Sequence, residues 1–158
     1  MSAARAEFDH DPPAPLASVV VPLVDAVARD DAGRVLLSRA DCLRLMAATA
    51  LGRVVFTDAA MPAVRPVTFV LDGDEAVFRV PHGGPLDAAT HGAVVGFQVD
   101  AIDHDTHVGW SVVGIGRAYE VTAPGRRGGL PAGWDADGTA HTVAVPLEQL
   151  SGERIRLD

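Results

Sequence analysis

The chain has 158 residues, enough for one domain that buries its own core. Hydrophobic residues make up 48% and charged residues 22%, a balance that excludes an intrinsically disordered chain. A formal net charge of −8 excludes nucleic acid and anionic membrane surfaces as default partners, because the field of the whole chain repels phosphate.

All 13 basic residues are arginine, so lysine-based Schiff-base chemistry is ruled out. The single Cys42 excludes an internal disulfide and fits a reducing compartment. No basic start followed by an apolar core marks a leader peptide. The apolar run Val19–Val24 is broken by Pro22 and stopped by Asp25, far short of a bilayer span. The expected location is the cytoplasm.

In chain order, residues 1–35 read as an N-terminal arm, proline-rich at its start, and residues 36–158 as one domain. Ser38-Arg-Ala-Asp41 has the form of a short-armed capping box, so a helix is expected to begin there. Cys42, Leu43, Met46, Ala47 and Ala50 recur at helical spacing, and Gly52 stands where a left-handed C-cap belongs. From Arg53 onward the period changes to two. Val54–Thr57, Ala63–Leu71, Ala76–Val80, Ala93–Ile102, Val108–Val121 and Thr142–Val145 read as strands. Turns are expected at Asp58-Ala-Ala, at Asp72-Gly73-Asp74 and at Asp103-His-Asp-Thr, with Asp72-Gly73 the strongest hairpin signal. Leu86–Thr90 supplies one helical turn across the mouth of the sheet.

Short connections imply antiparallel pairing. Six strands with one or two flanking helices point to a mainly β (α+β) fold, a closed or split barrel rather than a sandwich. Gly109, Gly114 and Gly116 inside one strand mark a bulge, a barrel corner, or close approach of a backbone or flat ligand. Residues 123–140 are turn-rich and read as an exposed excursion anchored by Trp134.

Few residues advertise chemistry on their own. Asp103-His104-Asp105-Thr106-His107 has metal-binding residue types, but its position on a hairpin tip favours a solvated turn, and no metal site is expected. Arg126-Arg127 is too small an island for nucleic acid. Cys42, on the apolar side of its helix with no basic neighbour to activate it, reads as a core residue. Ser111 lacks the histidine and acid that would make it a nucleophile and is read as a hydrogen-bond donor. No general acid or base stands out, and the catalytic residues remain unassigned.

Several motifs do fall in a telling order. Leu51-Gly-Arg-Val-Val-Phe56 comes first, then Arg65-Pro66-Val67-Thr68-Phe69 and Phe78-Arg79. Phe97-Gln98-Val99-Asp100 follows, then Gly109-Trp110-Ser111-Val112 running into Gly116-Arg117-Ala118. This order resembles the pyridoxamine 5′-phosphate oxidase-like split-barrel flavoproteins, including their flavin/deazaflavin oxidoreductase relatives, over roughly Ser38 to Arg156.

The resemblance implies a six-stranded antiparallel split β-barrel. It also implies a homodimer with FMN, or alternatively deazaflavin F420, at the subunit interface, and oxidoreductase chemistry on a small organic substrate. By position it places Arg65 and Arg79 at the cofactor's phosphate or pyrimidine edge, and Pro66, Val67, Thr68 and Phe69 beside the ring. Val80, His82, Gly83, Gly84 and Leu86 would form the phosphate turn and its flanks. Gln98, Trp110 and Ser111 would line and close the pocket.

The departure lies at Gly84-Pro85-Leu86, where such proteins carry a hydroxyl residue followed by lysine or arginine. Losing a charge-assisted hydrogen bond there costs roughly 1.5–3 kcal/mol, about ten- to a hundredfold in affinity. The alternative reading is therefore a non-catalytic ligand-binding or dimerisation protein that has lost flavin, with His82, His91 or His141 as conceivable haem ligands. A phosphate of pyridoxamine has no second basic cluster to receive it.

Overall fold

The computed structural model describes residues 28–123 and 139–156. Its elements are β1 (Ala28–Arg29), β2 (Val35–Leu36), α1 (Arg39–Ala47), β3 (Leu51–Asp58), β4 (Met61–Asp72), β5 (Glu75–Val80) and α2 (Pro85–Ala89). They continue with β6 (Val94–Ile102), β7 (Val108–Arg117), β8 (Tyr119–Glu120), β9 (His141–Pro146) and β10 (Gln149–Arg156). The strands form one antiparallel sheet in the order β1-β2-β10-β7-β6-β3-β4-β5-β9-β8.

β4 joins the two halves of that sheet. Its stretch from Met61 to Thr68 pairs with β3, and the stretch from Phe69 to Asp72 turns over to pair with β5. At the other side β9 runs directly into β10, which lies along β7. Leu147, the link between β9 and β10, is fully buried and packs over Gly114, and Gly116 lies so close beneath the Pro146 carbonyl that any side chain would overlap it. These contacts bring β7 against the end of β9 and close the split barrel. The same device recurs at Gly109, which presses on the backbone of Ala101. Of the readings open for these glycines, close approach of another backbone holds for Gly109 and Gly116.

Phe69, Phe78 and Phe97 meet in the interior. Phe97 makes an edge contact with Phe69 at 4.8 Å and stacks on Phe78 at 5.7 Å, both between ring centroids. Met46, Val54, Val80, Val112 and Trp110 belong to the same buried core.

The split-barrel class expected from the sequence is the observed one, with more strands than expected. β1, β2 and β10 carry no strong pattern of their own. β10, Gln-Leu-Ser-Gly-Glu-Arg-Ile-Arg, is polar at most positions, yet all its residues from Gln149 to Arg156 pair with β7. The expected strand Val108–Val121 is divided at Ala118, whose N–H donates to Ala93 O and whose carbonyl accepts from Gly92, so that β8 can leave β7 and join β9.

The cap at Ser38 forms as expected: Asp41 N donates to Ser38 Oγ at 3.1 Å, and the hydroxyl donates in turn to Asp41 Oδ2 at 2.7 Å. The far end of α1 differs. The helix stops at Ala47, and its last carbonyls accept from Thr49, N to Met46 O and Oγ1 to Leu45 O. Gly52 is a residue of β3, not a cap. The buried face of α1 is Cys42, Leu45 and Met46, while Ala47 and Ala50 are exposed. Trp134, Arg126 and Arg127 lie outside the described residues.

Candidate functional site

Strand alternation sorts the sequence-derived site residues onto two faces. Val67, Phe69, Val80 and Trp110 point into the core and are buried. Pro66, Thr68, Gln98 and Ser111 lie on the opposite, outer face of the sheet. Trp110 and Ser111, neighbours in sequence, therefore cannot line the same side of one pocket. Trp110 Nε1 is buried without a hydrogen-bond partner among the described residues.

The outer face is built by register. Arg53 of β3 sits between Pro66 of β4 and Gln98 of β6, and Gln98 sits opposite Val113 of β7. One row along, Val64, Val55, Gly96 and Ile115 stand in line across the same four strands. Gly96 contributes no side chain, which leaves the middle of this face flat.

A polar string crosses it. Arg53 Nη1 donates to Asp100 Oδ1 at 2.7 Å and to Gln98 Oε1 at 3.3 Å, and Gln98 Nε2 reaches Ser111 Oγ at 3.5 Å. Around the string, Val55, Val64, Val94, Val113 and Ile115 are all exposed, between 38% and 57% of their full area. Clustered exposed β-branched residues on a sheet face mark a surface made for contact. Arg65 shares its side of β4 with Val67 and Phe69 but is exposed, and its Nη1 donates to the carbonyl of its neighbour Val64.

The remaining residues gather elsewhere, at the end of β5. Here Val80 pairs with His141, the first residue of β9, so His82, just past the strand, comes to lie over His141. Their rings stack with centroids 4.5 Å apart. Gly84 starts α2 with no side-chain cap, Pro85 takes the first turn, where its missing N–H costs nothing, and Leu86 packs on the core. Asp87 then reaches back, and its Oδ2 accepts from Gly83 N at 2.7 Å. The amide that the resemblance gives to a phosphate is thus donated to the chain's own carboxylate.

His141 Nε2 lies 3.3 Å from Asp87 Oδ1, His91 Nδ1 3.6 Å from the same oxygen, and His82 Nδ1 3.8 Å from Asp87 Oδ2. The Gly83 amide, followed by the nearby imidazoles, holds the Asp87 carboxyl below its ordinary range. Burial pushes the His141 imidazole below its ordinary range, against the opposing pull of Asp87. Arg79 lies on the other side of β5, opposite Thr142 and apart from this cluster's core-facing neighbours Phe78 and Val80.

Sequence reading missed Arg53, Asp100 and Asp87. The first two sit at the polar positions of alternating strands, a visible signal. Asp87 stands at the third position of a helix opened by Gly-Pro, where an acidic side chain commonly reaches back to a free amide. The expected solvated tip at Asp103 is observed: Asp103 Oδ1 accepts from the N–H groups of Asp105 and Thr106, and His104 and His107 are exposed. Among the described residues no helix is long and apolar enough to cross a membrane.

Comparison with known proteins places this architecture. An uncharacterized protein of Mycobacterium tuberculosis, Rv0080, is 35% identical over 130 residues, covering 77% of this chain and 86% of the relative. A solved FAD binding protein from Mycobacterium smegmatis superposes with a TM-score of 0.63 at 30% identity, over 77% of this chain and 97% of that one. A solved putative pyridoxamine 5′-phosphate oxidase from Corynebacterium glutamicum gives a TM-score of 0.65 at 22% identity, over 77% and 98% of the two chains, and so shares the fold. The family model described as pyridoxamine 5′-phosphate oxidase matches residues 38–154, from the cap of α1 to the last strand, and the chain belongs to that family.

Proposed function

We propose that this protein is a flavin-dependent oxidoreductase that works as a homodimer and acts on a small organic substrate. The observation that carries the reading is the outer face of β3, β4, β6 and β7. There a flat floor at Gly96 adjoins the Arg53–Gln98–Ser111 string and is ringed by exposed valine and isoleucine. The donor set suits a flavin: an amide and a hydroxyl can meet the ring's carbonyl and nitrogen edge, and apolar side chains can meet its faces. The apolar ring around the string gives a second copy of the chain something to cover.

FMN is the cofactor proposed. The likeness to a solved FAD binding protein at 30% identity supports flavin as the class, and FAD offers the same ring to the same face. Arg65 is assigned to the cofactor's phosphate, because it is exposed, its planar fork suits that group and the amide of Gly83 already serves Asp87; since it leaves β4 on the side opposite the ring face, the phosphate would be reached past the strand rather than on that face. A bound flavin would supply hydride or electron transfer. The chain's part is to orient the ring through Gln98, Ser111 and Thr68, to exclude water through the dimer, and to hold the phosphate.

The test is a fluorescence titration with FMN and FAD on flavin-free protein. Removing both ring contacts with Gln98→Leu and Ser111→Ala should weaken binding about tenfold or more, the value of one to two net hydrogen bonds. Equal affinity of the double variant and the wild type would overturn the placement.

A further inference from the structure

The cluster at the end of β5 stands apart from the flavin face, and its chemistry is different. We propose that His82, Asp87 and His141 form a binding site for one zinc-type divalent cation, with a coordination position left open toward solvent. The site stands on its own, whether or not flavin binds.

The ligand atoms already converge. One imidazole nitrogen from each histidine and a carboxylate oxygen of Asp87 all lie within 4.8 Å of one another. Ligands around a tetrahedral zinc at about 2.0–2.1 Å stand roughly 3.3 Å apart, the separation found between His141 Nε2 and Asp87 Oδ1, 3.3 Å. His82 Nδ1 stands 3.8 Å from the other carboxylate oxygen, Asp87 Oδ2, and its side chain is 59% exposed, so its ring would turn toward Oδ1 to complete the set.

The buried members are also left wanting. His141 has a side-chain exposure of 5%, and neither of its ring nitrogens meets a hydrogen-bond partner among the described residues. Asp87 Oδ1 is buried and unpartnered in the same way. Buried polar atoms without hydrogen-bonded partners are costly, and a cation held between the imidazole nitrogen and the carboxylate oxygen would satisfy both. The Gly83 amide fixes Asp87 Oδ2 and thereby turns Oδ1 toward His141, an outer contact of the kind that orients metal ligands.

Charge favours a cation over an anion. The converging atoms are one carboxylate and two imidazole nitrogens, so the cluster brings a negative charge and ring lone pairs to one point. An approaching phosphate would meet that charge, and the Gly83 amide of the turn is already engaged by Asp87. Two imidazoles and one carboxylate suit zinc and its first-row neighbours better than magnesium or calcium, which take oxygen. His91 is a neighbour rather than a member of the set, which converges on His82, Asp87 and His141.

The experiment is a calorimetric titration of the chelator-treated, flavin-free full chain with Zn²⁺, repeated with Co²⁺ and read by its visible absorption. The expected result is one ion per chain and a Co²⁺ spectrum of tetrahedral or five-coordinate intensity. His82→Gln and His141→Gln should each weaken binding by at least the ~10–100-fold that loss of even an outer contact costs. The double variant His104→Gln/His107→Gln, which alters the exposed Asp103 turn, should bind as the wild type does. His82→Gln changes an exposed ring and decides the matter if His141→Gln fails to fold. Absence of stoichiometric binding, or loss of binding in the His104/His107 variant with His82→Gln unaffected, would overturn the proposal.

Discussion

Gly52 and Phe97 occupy what is in effect one space: a Cβ on Gly52 would lie 2.5 Å from Phe97 Cζ and 3.3 Å from Phe69 Cδ1. The glycine is there because the aromatic cluster needs its volume, with Phe97 already between Phe69 and Phe78. Interiors packed at crystal density have no slack for an added methyl. Gly52→Ala should therefore destabilise the fold by about 1–3 kcal/mol, the usual cost of overpacking, read from the denaturant midpoint at unchanged slope.

This glycine also shows how far the sequence could be read. Gly52 follows an amphipathic helix at the spacing of a C-cap, and local rules alone put it there. Its actual role depends on Phe97, which reaches it only after β3 and β6 have paired. Likewise β10 has too few apolar residues to announce a strand and exists because β7 offers it a whole edge. Where the signal was local, as in the Ser38–Asp41 cap and the Asp72-Gly73 hairpin, sequence and structure agree. The turn expected at Asp58-Ala-Ala is also present, although what makes it is two alanines at positive φ, 47° and 65°, rather than glycine. Of the site, the strands bearing Thr68, Gln98 and Ser111 were legible. The meeting of His82, Asp87 and His141 was not, because it depends on the register of β5 against β9.

The apolar outer face makes a claim about assembly. Val55 and Ile115 stand in the same row, exposed by 38% and 40%, so charge there should leave the monomer's fold intact. Val55→Glu and Ile115→Glu, singly, are expected to shift a dimer toward monomer, because an apolar interface does not tolerate an unpaired buried charge. Light scattering coupled to size exclusion reads the outcome, and unchanged mass for both variants would place the interface elsewhere.

Arg65 tests the phosphate assignment separately. It is exposed and donates to its own neighbour's carbonyl, so Arg65→Ala should leave thermal stability within about 0.5 kcal/mol of the wild type. Flavin mononucleotide affinity should fall about ten- to a hundredfold, the value of a charge-assisted contact, while affinity for riboflavin, which lacks the phosphate, should not change.

The Asp103 turn predicts a pH effect of known sign. The N–H groups of Thr106 and Asp105 hold the Asp103 carboxyl below its ordinary value of 3.8. A carboxyl depressed in the folded state contributes stability above its unfolded value, and that contribution is lost as pH falls through the folded value. Asp103→Ala should thus lower the denaturant midpoint at pH 7. The gap to the wild type should close as the pH falls below about 4, where both states become protonated. A gap that widens on acidification would contradict this role.

Whether a flavin sits on this barrel is decided by the visible absorption spectrum of the purified protein, before and after addition of FMN. The expected result is the two-band flavin spectrum, present at purification or after reconstitution, with FMN released on denaturation. A protein that stays colourless and binds neither FMN nor FAD would contradict it.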